Sequence, residues 1–160
     1  MTDLALARAL HVIAVILWIG GVAMVTTVLL PGIRRSTPPN QRFARFHALE
    51  LPCAAQARWT TAITGATGFT MVWQLDAWAR FADATFWWMH AMVMVWAVFT
   101  LMLFVLEPLV LHRFLERRAA RQPERTYRMV ERLHWVLLTL SLATVAGAVA
   151  GSHGIDLLAW

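Results

Sequence analysis

Lysine is missing from this chain. All 14 basic residues among its 160 are arginine, so no chemistry that needs a lysine amine is open to it. Cysteine is nearly missing: Cys53 stands alone, which excludes an internal disulfide and any CxxC metal or redox motif. Charge is scarce, at 14% of residues against 59% hydrophobic, a balance rare in soluble domains of this size. There is no phosphate-binding glycine loop, nucleophile elbow or HExxH metalloprotease motif. No internal repeat or low-complexity segment is visible. The formal charge of +5 does not point to nucleic acid. The arginines sit in short stretches between long apolar runs, as in a membrane protein. The length fits a single domain, residues 1–160.

What is there is apolar and helical in pattern. A hydrocarbon core of roughly 30 Å needs about 20 apolar residues of helix. Residues 12–30 and 86–106 meet that, and 133–150 comes close without a charge. A fourth run, 59–75, is rich in threonine (Thr60, Thr61, Thr64, Thr67, Thr70). Threonine hydroxyls bond back to their own helix and are tolerable in lipid. Gly65 and Gly68 on that run allow a neighbour to approach closely. With their flanks the spans cover residues 5–30, 56–77, 84–111 and 130–150. The expected fold is all-α, a four-helix transmembrane bundle. The acidic start Met1-Thr2-Asp3 and the length of the first run argue against a cleaved signal peptide.

The arginines set the expected orientation. The first loop holds Arg34, Arg35, Arg42 and Arg45, with Arg58 at its end. The third holds Arg113, Arg117, Arg118, Arg121, Arg125, Arg128 and Arg132. The second has Arg80 against Asp76 and Asp83. The positive-inside rule then places loops one and three in the cytoplasm and both termini outside. Trp73, Trp78, Trp87, Trp88 and Trp160 fall at the outer interface, Trp59 and Trp135 at the inner one. Pro31-Gly32 and Pro38-Pro39 break the first loop, whose second half, 41–57, reads as a helix leading into span two.

Ionisable groups inside a membrane are costly and are functional candidates by default. Six histidines are many for so apolar a chain. His11 and His90 lie near the outer ends of spans one and three, which run parallel, so they share a depth. His153 follows span four on the same side. His47, His112 and His134 belong to the inner side. Two imidazoles at one depth suit the two faces of a haem b iron, and a four-helix bundle has room for that cofactor. The bland alternative is interfacial histidines bonded to backbone or water. His134 with His112 would hold a second haem or shape a quinone site, unless they too are plain boundary residues.

Two further constellations stand out. Met89-His90-Ala91-Met92-Val93-Met94 mixes thioether and imidazole, ligands that suit Cu(I), although methionine is also an ordinary filler of apolar packing. Glu107 precedes Pro108 near the inner end of span three. It would pair with Arg58 or His134, as a structural ion pair or as a proton acceptor close to the cytoplasm. Glu50 and Gln56 flank the same entrance.

Leu10-His11-Val12-Ile13 through Trp18-Ile19-Gly20-Gly21 to Leu30-Pro31 resembles the first helix of the bacterial haem-dependent (HemJ-type) protoporphyrinogen oxidases. It looks equally like helices of the CopD-type copper-resistance membrane proteins. Trp88-Met89-His90-Ala91-Met92 resembles the third-helix segment of the HemJ-type enzymes. The resemblance implies that His11 and His90 bind haem b. Met92 stands where that family has a lysine, so protoporphyrinogen oxidation is not expected.

The expected function is therefore a haem b-binding redox protein of the bacterial inner membrane. It would exchange electrons with quinone or a periplasmic redox protein, with one haem or two. One alternative is CopD-like copper transport through His11, His90, Met89, Met92 and Met94, fed by a periplasmic copper protein. Another is a non-catalytic assembly partner. Lipid is the expected surrounding, and homo-oligomers are allowed for.

Overall fold

The first apolar run folds as one unbroken helical stretch. Its main part, α1 (Thr2–Met24), passes through a wider π-helical turn at Val25–Leu29 into α2 (Leu30–Ser36). Pro31 follows that turn and has no N–H to give it, which accounts for the local widening. The stretch ends where Thr37 turns extended (φ −128°, ψ 134°), as the residue before Pro38 is biased to do.

The second half of loop one and the threonine-rich run form a single helix, α3 (Arg42–Gln74), with Pro52 inside it. Four of its five threonines answer their own backbone, while the buried Thr61 hydroxyl has no partner among the described residues. Thr60, Thr64, Thr67 and Thr70 each donate to the carbonyl four residues back, at 2.6 to 2.9 Å. At the outer end Asp76 takes a left-handed conformation (φ 46°). Short 3₁₀ turns at Ala77–Ala82 and Ala84–Phe86 follow.

Helix α4 (Trp87–Leu101) runs into a second π stretch, Met102–Leu111, which contains Pro108. Then come α5 (His112–Arg121) and α6 (Pro123–Ser152), whose proline sits in the first turn where no N–H is needed. The computed structural model describes residues 2–155, without the side chains of residues 110–113 and 116. Asp156, Trp160 and the His112 imidazole therefore lie outside the described residues.

Among the described residues the chain is all-helical, without a strand. Three helical stretches are long and apolar enough to cross a membrane: Thr2–Ser36, Ala84–Leu109 and Pro123–Ser152. This fits a membrane protein. Helix α1 lies along α3, α4 lies along α6, and α3 and α1 both touch α6.

Packing differs along the length. An inner cluster joins Leu30, Ile33, Phe43, Phe46, Tyr127 and Val130. A middle cluster joins Trp18, Phe99, Leu103 and Leu137. Further out, indoles cover glycines. Trp96 lies over Gly65 on α3, and Trp87 and Trp88 lie over Gly147 and Gly151 on α6. A methyl at any of the three would collide with the ring. The outward faces are apolar: Ile16, Trp59, Phe69, Trp73 and Leu109 are exposed, Trp59 to 74%. In water such a surface would be a liability; in lipid it is ordinary.

Candidate functional site

His11 points from α1 into α3. Its Nδ1 lies 3.1 Å from the Thr64 carbonyl and 3.1 Å from Thr67 Oγ1, and its ring rests against Gly68. An Nδ1–H donated to the carbonyl leaves Nε2 with its lone pair. This is how a metal-binding histidine is commonly held by its surroundings. His90 is exposed, and its Nε2 lies 3.0 Å from the Phe81 carbonyl in the outer turn. Its ring meets Phe81 edge-on at 5.5 Å.

Depth along a helix fixes height but not direction, and the two imidazoles lead to different neighbours. No hydrogen bond or ring contact joins them among the described residues. A haem held by His11 alone, as a single proximal ligand, fits the free Nε2. The methionines also diverge: Met89 is buried, while Met94 is 67% exposed. His153 bonds locally to Val149 O at 2.8 Å.

The inner side is different. A cavity of about 110 Å³ opens among α1, α3, the second π stretch and α6. Its walls are mostly apolar and include Leu17, Trp18, Phe99 and Leu137. Its polar lining comes from Glu50, Gln56, Glu107 and His134, with Cys53 beside them. Met24 and Val25 at the first π turn and Met102, Leu103 and Glu107 at the second also line it. Wide turns of this kind are frequent at functional sites.

Each polar group has a distinct state. His134 Nδ1 lies 2.9 Å from the Val130 carbonyl, which leaves Nε2 as an acceptor when the ring is neutral. Phe46 holds that ring edge-on at 5.8 Å. Gln56 donates to the Leu17 carbonyl at 3.2 Å. Glu107 takes Arg58 Nη2 at 2.8 Å. Trp18 is 4% exposed, and its indole N–H is buried without an acceptor. A buried donor left unpaired calls for a missing partner.

Glu50 sits in the first half of α3, ahead of the threonine-rich run. Among the described residues its ion-pair partner is His47, with Nδ1 at 4.0 Å. Burial disfavours its charged form, and the negative Glu107 adds to that, so its carboxyl is pushed up to about 7. In the outer turn, Asp83 goes the other way. The Thr85 backbone N–H and then its hydroxyl, at 2.9 and 2.8 Å, favour the carboxylate and lower its pKa.

Sequence reasoning gave Glu50 and Gln56 little weight and missed the unpaired Trp18 N–H. The signal for the cavity was present in the prolines. Pro31 and Pro108 each remove a backbone donor at the inner ends of two long helices. No protein-family model, curated protein or solved structure matches this chain.

Proposed function

We propose that this chain is a redox protein of the bacterial inner membrane that takes a quinone headgroup into its inner cavity. The observation that carries the reading is a mostly apolar cavity whose polar lining includes His134 and Glu50. A quinone has carbonyl oxygens that need donors and an apolar ring that needs an apolar wall. The cavity supplies both.

We assign the cavity of about 110 Å³ to one six-membered ring. Oxidation of a quinol releases two electrons and two protons. Glu50 and the neutral His134 can each accept a proton there. When bound, haem b supplies one-electron chemistry, and His11 is the residue proposed to hold it.

Helix α3 is proposed as the fourth crossing, with loops one and three in the cytoplasm. Support comes from its outward residues Trp59, Ile63, Phe69 and Trp73 and from its self-bonded threonines. No observation favours copper, because Met89 and Met94 do not share a surface.

The test is the visible spectrum of the purified protein, oxidised and then reduced, with pyridine haemochrome quantification and titration with a short-chain benzoquinone. A b-type spectrum lost in His11→Ala, with saturable quinone binding weakened in His134→Leu, is the expected result. A colourless protein from haem-replete cells that binds no quinone would overturn it.

A further inference from the structure

We propose that Glu50 selects, by its own protonation, whether the inner cavity holds the oxidised or the reduced form of a quinone headgroup. The inference rests on the quinone reading of this cavity. It adds a selectivity that the reading alone does not contain.

Two carboxylates line the cavity, and they are not equivalent. Glu107 has its charge matched by Arg58, with Nη2 at 2.8 Å. Arg58 is also committed to the Leu103 carbonyl through Nε, at 3.2 Å, so this guanidinium is fixed at both ends. Among the described residues Glu50 has instead a histidine, at the longer distance of 4.0 Å. Burial and the neighbouring negative charge bring the Glu50 carboxyl to about 7, within the range a cell traverses.

The groups facing Glu50 come from several elements. His47, Cys53, Gln56 and Arg58 lie on α3 itself. Glu107 comes from the second π stretch, His134 from α6, and Trp18 from α1. The Trp18 indole does not titrate in this range. Gln56 already donates to the Leu17 carbonyl. Of the two wall carboxyls, Glu50 is therefore the one whose hydrogen-bond role inverts without breaking an arginine pair among the described residues.

The inversion follows from elementary chemistry. A neutral carboxyl has an O–H to donate; an ionised one can only accept. A quinone carbonyl only accepts, while a quinol hydroxyl also donates. Neutral Glu50 thus matches the quinone, and ionised Glu50 matches the quinol. Leaving a buried acceptor opposite an acceptor is penalised heavily, so the preference has a sign. Low pH favours quinone and high pH favours quinol. A quinol hydroxyl titrates near the phenol value of about 10, so the ligand itself stays neutral across this range.

The experiment is equilibrium binding of a short-chain benzoquinone and of its quinol, under anaerobic conditions, from pH 5.5 to 8.5. It uses the full chain in lipid nanodiscs. In the wild type the affinity ratio of quinol to quinone should rise about tenfold or more over that range, as one linked proton requires. Glu50→Gln should still bind quinone, with the ratio flat in pH. Glu50→Asp, which keeps a titrating carboxyl, should retain a dependence with a shifted midpoint. Glu107→Gln should keep the dependence.

A pH-independent ratio in the wild type would overturn the proposal, although the cavity would still be a quinone site. A dependence that survives in Glu50→Gln and vanishes in Glu107→Gln would overturn it in favour of Glu107. Failure of both ligands to bind would remove the quinone reading and this inference together.

Discussion

Arg58 donates through Nε to the carbonyl of Leu103 at 3.2 Å, and that carbonyl has lost its helical donor to a proline. In a π turn the carbonyl of residue 103 looks to the N–H of residue 108. Residue 108 is Pro108, which has none. One side chain from α3 thus repairs the backbone of the second π stretch and neutralises Glu107 beside it, at 2.8 Å.

Arg58→Leu should therefore destabilise the protein by about 3 kcal/mol or more, since it strands a partly buried carboxylate. Arg58→Leu combined with Glu107→Leu should recover a large part of that loss. In a Pro108→Ala background the N–H returns, and Arg58→Leu should be less damaging. Unfolding in mixed micelles checks all three. Equal losses from Arg58→Leu with and without Pro108 would refute the repair.

The indoles over Gly147, Gly151 and Gly65 leave no room for a methyl. Gly147→Ala should lower stability by about 1–3 kcal/mol through overpacking. Trimming the opposing ring with Trp87→Leu should make the same glycine substitution nearly neutral. A double-mutant cycle on thermal midpoints reads the coupling.

Tyr127 is fully buried, at 0% exposure, and its hydroxyl donates to the Leu30 carbonyl at 2.6 Å. It ties α6 to the end of the first helical stretch. Tyr127→Phe should cost about 1 kcal/mol, the usual net value of such a bond, without changing the helix content seen by circular dichroism.

Glu50 makes stability pH-dependent. Its pKa rises from 4.5 in the unfolded chain to about 7 in the fold, so the folded state binds more protons between those values. Its favourable contribution is complete below about pH 4.5 and is lost as pH rises through 7. Stability measured from pH 4.5 to 8 should fall, and Glu50→Gln should flatten that part of the curve.

Crossing by α3 is checked by accessibility. In a Cys53→Ala background, a cysteine at Ser36 should react with an impermeant maleimide only from the cytoplasmic face. One at Ala79 should react only from the outer face. Labelling of both from the same face would place α3 on the membrane surface.

Much of the helical framework is legible in the sequence, because long apolar runs leave a chain few alternatives. The pairing of Glu107 with Arg58 was one of two options that a reading by depth left open. The direction of His11 and His90 was not legible at all. A helix carries a residue through 100° per step, so a few degrees of twist decide the neighbour. For His11 that neighbour is the Thr64 carbonyl, not His90. The cavity was hidden for a related reason: Glu50 and Trp18 are far apart in sequence and far from equal in chemistry. Only packing brings them to one wall.

Helix α3 has 33 residues, which at about 1.5 Å each make a rod of about 50 Å. A hydrocarbon core of roughly 30 Å leaves about 20 Å of it overhanging. Trp73 is at one end of this rod, and Glu50 is toward the other. The rod is a lever with its fulcrum among the threonines and Gly65. A tilt of about 5° about Gly65 would swing Glu50, about 22 Å away along the helix, through about 2 Å. With α3 as the proposed fourth crossing, a force from lipid on Trp73 would be delivered, magnified, to the carboxylate at the cavity.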